Sequence, residues 1–207
     1  MKTKTLALED PQAIPTALEI LSQGGLVAFP TDTVYGLGAN AFNPQAINRI
    51  YAVKNRPREK AIPVLLGDVS DLEKVTPPIN KLAQQLVDEF WPGPLTLILP
   101  AGKNLPPQLS PYPSVGVRIP AHAVVCILLR GSGPLAVTSA NISGQNSPRT
   151  AQEVQEQLGG RIELILDGGR TPGGESSTVV DCASSEIRIL REGPISLEEI
   201  LSVTQEE

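Results

Sequence analysis

Histidine occurs once and cysteine twice in the 207 residues. One imidazole, His122, and two distant thiols, Cys126 and Cys182, supply neither a zinc-ligand cluster nor a C-x-x-C pair. Cys126 lies in an apolar helical run and reads as a buried structural thiol. Aromatic residues make up only 3% of the chain, so the core must be aliphatic and base stacking has little to work with. The net charge of -5 argues against gripping nucleic acid by bulk electrostatics. No apolar run approaches the ~18 residues of a membrane span. Met1-Lys2-Thr3-Lys4 leads into no signal-type apolar stretch, which predicts a soluble, cytoplasmic chain with no membrane partner. G-x-G-x-x-G, the G-x-S-x-G elbow and the P-loop order are all missing.

What the chain does have is 20 prolines and 18 glycines, placed between apolar runs, which means shaped loops rather than disorder. The length suits one large domain, or one with a small appendage. Thr3 to Leu8 reads as a strand. Pro11 to Ser22 carries Ile14, Ala17, Leu18 and Leu21 at helical spacing. Gly24 to Phe29 is a buried strand ended by Pro30. Asn43-Pro44 is an N-cap and N1 pair opening a helix to about Lys54. Strands are predicted at Ile62 to Leu66, Leu95 to Leu99, Val115 to Ile119, Leu135 to Val137, Glu163 to Leu166, Ser177 to Val180 and Ile187 to Leu190. Further helices are predicted at Ile79 to Phe90, Ala121 to Arg130, from the Thr150/Glu153 capping box to Leu158, and after Ser196/Glu199. This alternation predicts an α/β fold with a mixed sheet and no internal repeat.

Three loops carry the chemistry. Pro30 to Gly38 places Thr31, Asp32, Thr33 and Tyr35 at a strand's end, where open α/β sheets bind ligands. Its glycines, Gly36 and Gly38, permit positive φ or close approach of a ligand. Thr138-Ser139-Ala140-Asn141-Ile142-Ser143-Gly144 repeats that pattern after another apolar strand. Gly168 to Ser176 is glycine-rich and reads as a mobile loop over a site. Between them lies a basic cluster, Arg49, Lys54, Arg56, Arg58 and Lys60, opposed only by Glu59. Pro57 stiffens the chain beside Arg56, and a held Arg next to a Lys suits an oligophosphate. Ser139 with His122 as a hydrolase pair is a weak reading. Residue types alone reach one site for a phosphate compound and a small polar molecule.

The runs FPTDTVYGLG (Phe29 to Gly38), KNRP (Lys54 to Pro57), WPGPLT (Trp91 to Thr96), VRIP (Val117 to Pro120), TSANISG (Thr138 to Gly144) and STVVD (Ser177 to Asp181) occur in one order. In that order the chain resembles the threonylcarbamoyl-AMP synthase family, the YrdC-type domain, over roughly residues 10–195. The resemblance implies a single YrdC-like domain over residues 1–207, with a twisted mixed parallel/antiparallel sheet flanked by helices and without the extra C-terminal domain of larger members. It implies joining of L-threonine, bicarbonate and ATP with release of pyrophosphate. A tRNA-modifying threonylcarbamoyl transferase complex would be the partner, magnesium would accompany ATP, and weak tRNA contact is compatible. Lys54 and Arg56 are implied as the catalytic pair. Thr31, Tyr35, Arg118, Thr138 and Ser177 are implied around threonine. Lys54, Arg56, Arg58, Ser139, Asn141 and Arg191 are implied around ATP, and Asp32 as a water-mediated magnesium contact. Some members have a histidine in the strand after the basic cluster, where this chain has Leu65 or a neighbour. A carbamoyl-adenylate synthase and a non-catalytic RNA-binding module are the competing expectations.

Overall fold

Short runs of Val, Leu and Ile, cut by glycine and proline, form ten strands in one mixed sheet among the described residues. The computed structural model describes residues 2–183 and 187–204. The strands are β1 (Lys4–Ala7), β2 (Val27–Phe29), β3 (Gly36–Asn40), β4 (Val64–Leu65), β5 (Leu95–Pro100), β6 (Ser114–Arg118), β7 (Leu135–Ser139), β8 (Leu164–Asp167), β9 (Thr178–Asp181) and β10 (Arg188–Arg191). The helices are α1 (Ala13–Ser22), α2 (Pro44–Lys54), α3 (Lys81–Phe90), α4 (Ala123–Ser132), α5 (Ala151–Leu158) and α6 (Leu197–Thr204), with a 3-10 turn at Val69–Lys74. The sheet order is β1-β8-β2-β3-β7-β4-β6-β5-β9-β10. Strands β1, β8 and β2 run parallel, as do β4 with β6 and β5 with β9. The pairs β2–β3, β3–β7, β7–β4, β5–β6 and β9–β10 are antiparallel.

Alternation along the central strands divides the core between the two faces. Val27, Phe29, Leu135, Val137, Leu164 and Leu166 pack with Ala13, Ala17 and Leu21 of α1 and Val125, Leu128 and Leu129 of α4. Their neighbours Leu26, Ala28, Ala136 and Ile165 face the other way, with Ile47 and Ile50 of α2, Leu86 of α3, Val154 of α5 and Ile200 of α6. A strand buried on both faces needs an unbroken apolar run, which is what these strands carry.

The predicted elements appear with ends shifted by a few residues, and α/β with a mixed sheet is the architecture observed. One strand departs from expectation. Gly36–Asn40 reads as loop because of its glycines, yet it is β3, hydrogen-bonded between β2 and β7. Neither Gly36 nor Gly38 has positive φ. A Cβ at Gly36 would lie 2.8 Å from Val137 Cγ1, and one at Gly38 2.8 Å from Phe29 Cε1. Neighbouring side chains, not turn geometry, demand glycine there. Cys126 and Cys182 are both free and buried. His122 takes a structural place, its Nδ1 accepting from the Val125 amide as the N-cap of α4. No helix among the described residues is long and apolar enough to cross a membrane.

Candidate active site

The end of α2 sets up the basic cluster. Asn43 caps the helix start by accepting from the amides of Gln45 and Ala46 at 3.0 Å, with Pro44 in the first turn. At the other end Asn55 takes the left-handed conformation (φ 51°), which asparagine tolerates, and the Arg56 amide closes back on Tyr51 O at 2.9 Å. That reversal separates neighbours in sequence. Lys54 stays inside, 1% exposed. Its Nζ donates to Ser139 O at 2.5 Å, to Asn141 O, and to Asn141 Oδ1 at 3.4 Å. Burial, aided by the charge of Arg56, pulls its ammonium down to about 7. Arg56 turns outward to the cavity, anchored by Nε on Lys60 O at 3.1 Å and Nη2 on Ala61 O at 2.8 Å. Arg58 goes elsewhere, onto Asn48 Oδ1 and over the Tyr51 ring at 4.7 Å.

The turn between β2 and β3 builds the opposite wall. Thr31 Oγ1 donates to Val34 O at 2.7 Å and accepts from the Thr33 amide at 3.1 Å, so its hydroxyl shapes its own turn. Arg118, at the end of β6, then crosses to that turn. Its Nε donates to Gly93 O at 2.8 Å, Nη1 to Thr33 Oγ1 at 3.1 Å and Nη2 to Asp32 Oδ1 at 2.5 Å. Arg118 is buried and Asp32 partly so, their side chains 7% and 13% exposed. Asp32 Oδ2 is buried as well and has no hydrogen-bond partner. Tyr35 points away from the cavity. Its hydroxyl donates to Gly169 O at 2.7 Å and accepts from the Gly168 amide at 3.2 Å, and burial pushes its pKa up to about 12.

The remaining walls come from β7, β5 and β9–β10. Thr138 and Ser139 line the cavity. Ser139 Oγ donates to Asn141 Oδ1 at 2.5 Å, and Asn141 lies behind it, buried. With Ser139 tied to Asn141 and His122 capping α4, the hydrolase reading has no catalytic geometry. Ser177 shares a 2.8 Å hydrogen bond with Thr96. Arg191 donates to Ser177 O from Nε at 3.0 Å and Nη2 at 2.7 Å, and to Ser177 Oγ at 3.1 Å. No carboxylate pairs with Arg56 or Arg191 among the described residues.

These walls enclose a cavity of about 240 Å³ across the middle of the sheet. Of the residues expected from sequence, Thr31, Arg56, Arg118, Thr138, Ser139, Ser177 and Arg191 line it. Lys54, Asn141 and Asp32 stand directly behind lining residues, while Tyr35 and Arg58 do not reach it. Sequence reasoning did not single out Thr96, Ser176 or Val137 as part of the wall, while Leu65, the position set against the relatives' histidine, does line it. Thr96 carries a legible signal, a lone hydroxyl in the apolar run Leu95 to Leu99. The loop at 168–176, expected as a mobile cover, is tied at two points in this structure. Its Thr171 and Gly174 amides donate to Arg149 O at 2.9 Å and Thr33 O at 2.8 Å.

Three guanidiniums against one carboxylate, interleaved with hydroxyls, make an anion-binding site in an α/β protein, one able to hold a carboxylate and phosphates together. The Sua5/YciO/YrdC family model, described as telomere recombination, matches residues 19–193, and the chain belongs to that family. It is 45% identical to a threonylcarbamoyl-AMP synthase of Bacillus subtilis over 97% of this chain and 59% of that protein. The crystal structure of P. abyssi Sua5 complexed with L-threonine superimposes with a TM-score of 0.91 at 42% identity, covering 93% of this chain and 57% of that one. E. coli YciO superimposes with a TM-score of 0.86 at 26% identity, covering 96% and 99%. The chain thus spans less than two thirds of the length of the Bacillus subtilis relative and of the P. abyssi structure.

Proposed function

We propose that this chain is a threonylcarbamoyl-AMP synthase that joins L-threonine, bicarbonate and ATP and releases pyrophosphate. The observation that carries the reading is the division of charge within one cavity. Arg118 is held by Asp32 and Thr33, whereas Arg56 and Arg191 are held only by oxygens that carry no net charge. A near-neutral corner with hydroxyls from Thr31, Thr138 and Ser177 suits a zwitterionic hydroxy amino acid. The uncompensated guanidiniums suit a triphosphate. The likeness to a threonine-bound relative supports the same assignment.

In this reading the neutral amine of threonine forms an N–C bond to bicarbonate carbon with loss of water. A carbamate oxygen then attacks the α-phosphorus, and pyrophosphate leaves. No covalent enzyme intermediate is needed. The work is gathering anions and stabilising charge on phosphorus, to which Arg56 contributes directly and Lys54 through its field and its hold on the Ser139–Asn141 segment. Magnesium would neutralise phosphate charge when bound with ATP. Among the described residues no group of three or more acidic, His or Cys side chains could hold a metal. That suits an ion carried by phosphates and water, because Asp32, the carboxylate beside the cavity, is paired with Arg118 and does not line it. The product would pass to a transferase complex that modifies adenosine in tRNA.

The test is pyrophosphate release from ATP measured with and without threonine and with and without bicarbonate. Release should require both. Release that ignores threonine would overturn the reading.

A further inference from the structure

Arg149 plays no part in the reaction just described, yet it is built into the structure at evident cost. Its Nε is buried and makes no hydrogen bond, and no carboxylate pairs with its guanidinium among the described residues. The residue is only partly buried, and the orphaned Nε is a local cost that an apolar side chain would not carry. What the side chain grips is the segment 171–174. Nη2 donates to Thr171 O at 3.2 Å, and the Arg149 carbonyl accepts from the Thr171 amide at 2.9 Å. Gly174 has φ +108°, which favours glycine, and a Cβ there would lie 2.8 Å from Arg149 Cζ, so the guanidinium packs against this residue.

The gripped segment is seated in turn on the Asp32–Thr33 turn. The Gly174 amide donates to Thr33 O at 2.8 Å, and a Cβ at Gly173 would come within 2.7 Å of Asp32 O. Asp32 and Thr33 are the two residues that fix the far end of the Arg118 guanidinium. Arg149 is itself held at the start of α5, where Glu153 Oε2 accepts from its amide at 2.5 Å. A continuous chain of contacts therefore runs from α5 through Arg149 and the 171–174 strap to Arg118 in the cavity. We propose that Arg149 is a positioning residue for the amino-acid half of the site. By clamping the 171–174 strap onto the Asp32–Thr33 turn, it keeps the Asp32–Arg118 pair dry and the guanidinium in one orientation.

The ligand named in this proposal rests on the threonylcarbamoyl-AMP synthase reading, but the clamp itself does not, and two measurements keep them apart. In the ligand-free protein, Arg149→Ala should speed hydrogen exchange at the Thr171 and Gly174 amides at least about tenfold, while exchange in β7 and β8 stays as in the parent. In pyrophosphate release, Arg149→Ala should raise KM for threonine at least about tenfold and KM for ATP less than about threefold. Arg149→Lys, which keeps one charged donor, should recover most of that loss. Unchanged exchange at Thr171 and Gly174 would overturn the clamp. Faster exchange with an unaltered threonine KM would overturn its link to Arg118. Equal rises in both KM values, or a general rise in exchange across the sheet, would reduce Arg149 to a stability residue and also overturn the proposal. If the parent releases no threonine-dependent pyrophosphate, the function reading fails while the exchange measurement still decides the clamp.

Discussion

Arg118 and Lys54 are both buried cations beside the same cavity, and each has its charge satisfied differently. Arg118 carries a carboxylate partner, Asp32, and spends its other donors on Thr33 and Gly93. Lys54 has only oxygens without net charge, two of them carbonyls of Ser139 and Asn141. The first arrangement cancels charge and fixes direction. The second leaves a net positive field behind the β7 end, close to the guanidinium of Arg56. A cavity with one neutralised and one uncompensated end has a polarity, and under the proposed function that polarity separates an amino-acid end from a phosphate end.

The sharpest way to break the contrast is to remove the carboxylate. Asp32→Ala strands a buried guanidinium, so urea unfolding should show a loss of about 3–5 kcal/mol. The loss should be larger than for any change on the Lys54 side.

Lys54→Met comes next. It removes an ammonium that serves three oxygens and should cost about 1–3 kcal/mol in the same assay. The pH dependence gives this residue its own signature. Its folded pKa of about 7 lies below the ~10.4 of an exposed lysine. Between those values the unfolded chain binds more protons, so the Lys54 contribution grows as pH rises and is lost as pH falls to about 7. Stability of the parent relative to Lys54→Met, measured from pH 6 to 9, should therefore be flat below 7 and rise above it. A flat profile up to pH 9 would mean that the carbonyl cage holds the charged form instead.

The smallest effect on stability, under about 1 kcal/mol, is expected for Arg56→Ala, because its anchors are half-exposed loop carbonyls. Its pyrophosphate release should nonetheless fall at least about tenfold, ~1.4 kcal/mol of transition-state stabilisation. A rate within twofold of the parent would remove Arg56 from the phosphate end.

Much of this was legible beforehand because the signals are local. The Asn43-Pro44 start and the Thr150/Glu153 box fix helix ends through neighbouring residues, and the structure bears them out. The hydroxyl-rich loops and Arg56 were visible as types and spacing. What stayed hidden depends on contacts far apart in sequence. Glycine in β3 answers to Phe29 and Val137 across the sheet, which no window around residue 36 contains. Lys54 and Arg56 look equivalent in KNRP until the left-handed Asn55 sends one inward and the other outward. The grip of Arg149 joins a residue just ahead of the Thr150 cap to a loop that reads on its own as a mobile cover.

Strand β4 is two residues long, yet among the described residues it alone joins β1-β8-β2-β3-β7 to β6-β5-β9-β10 within the sheet. Val64 and Leu65 pair with Ala136 and Leu135 on one side and with Val117 and Arg118 on the other. The sheet is therefore two wide plates joined by a narrow weld, and the cavity lies over the weld. An occupant that reaches from Thr138 on one plate to Arg191 on the other acts as a brace across it. By mass action, saturating ligand would stabilise the fold by RT ln(1 + [L]/Kd).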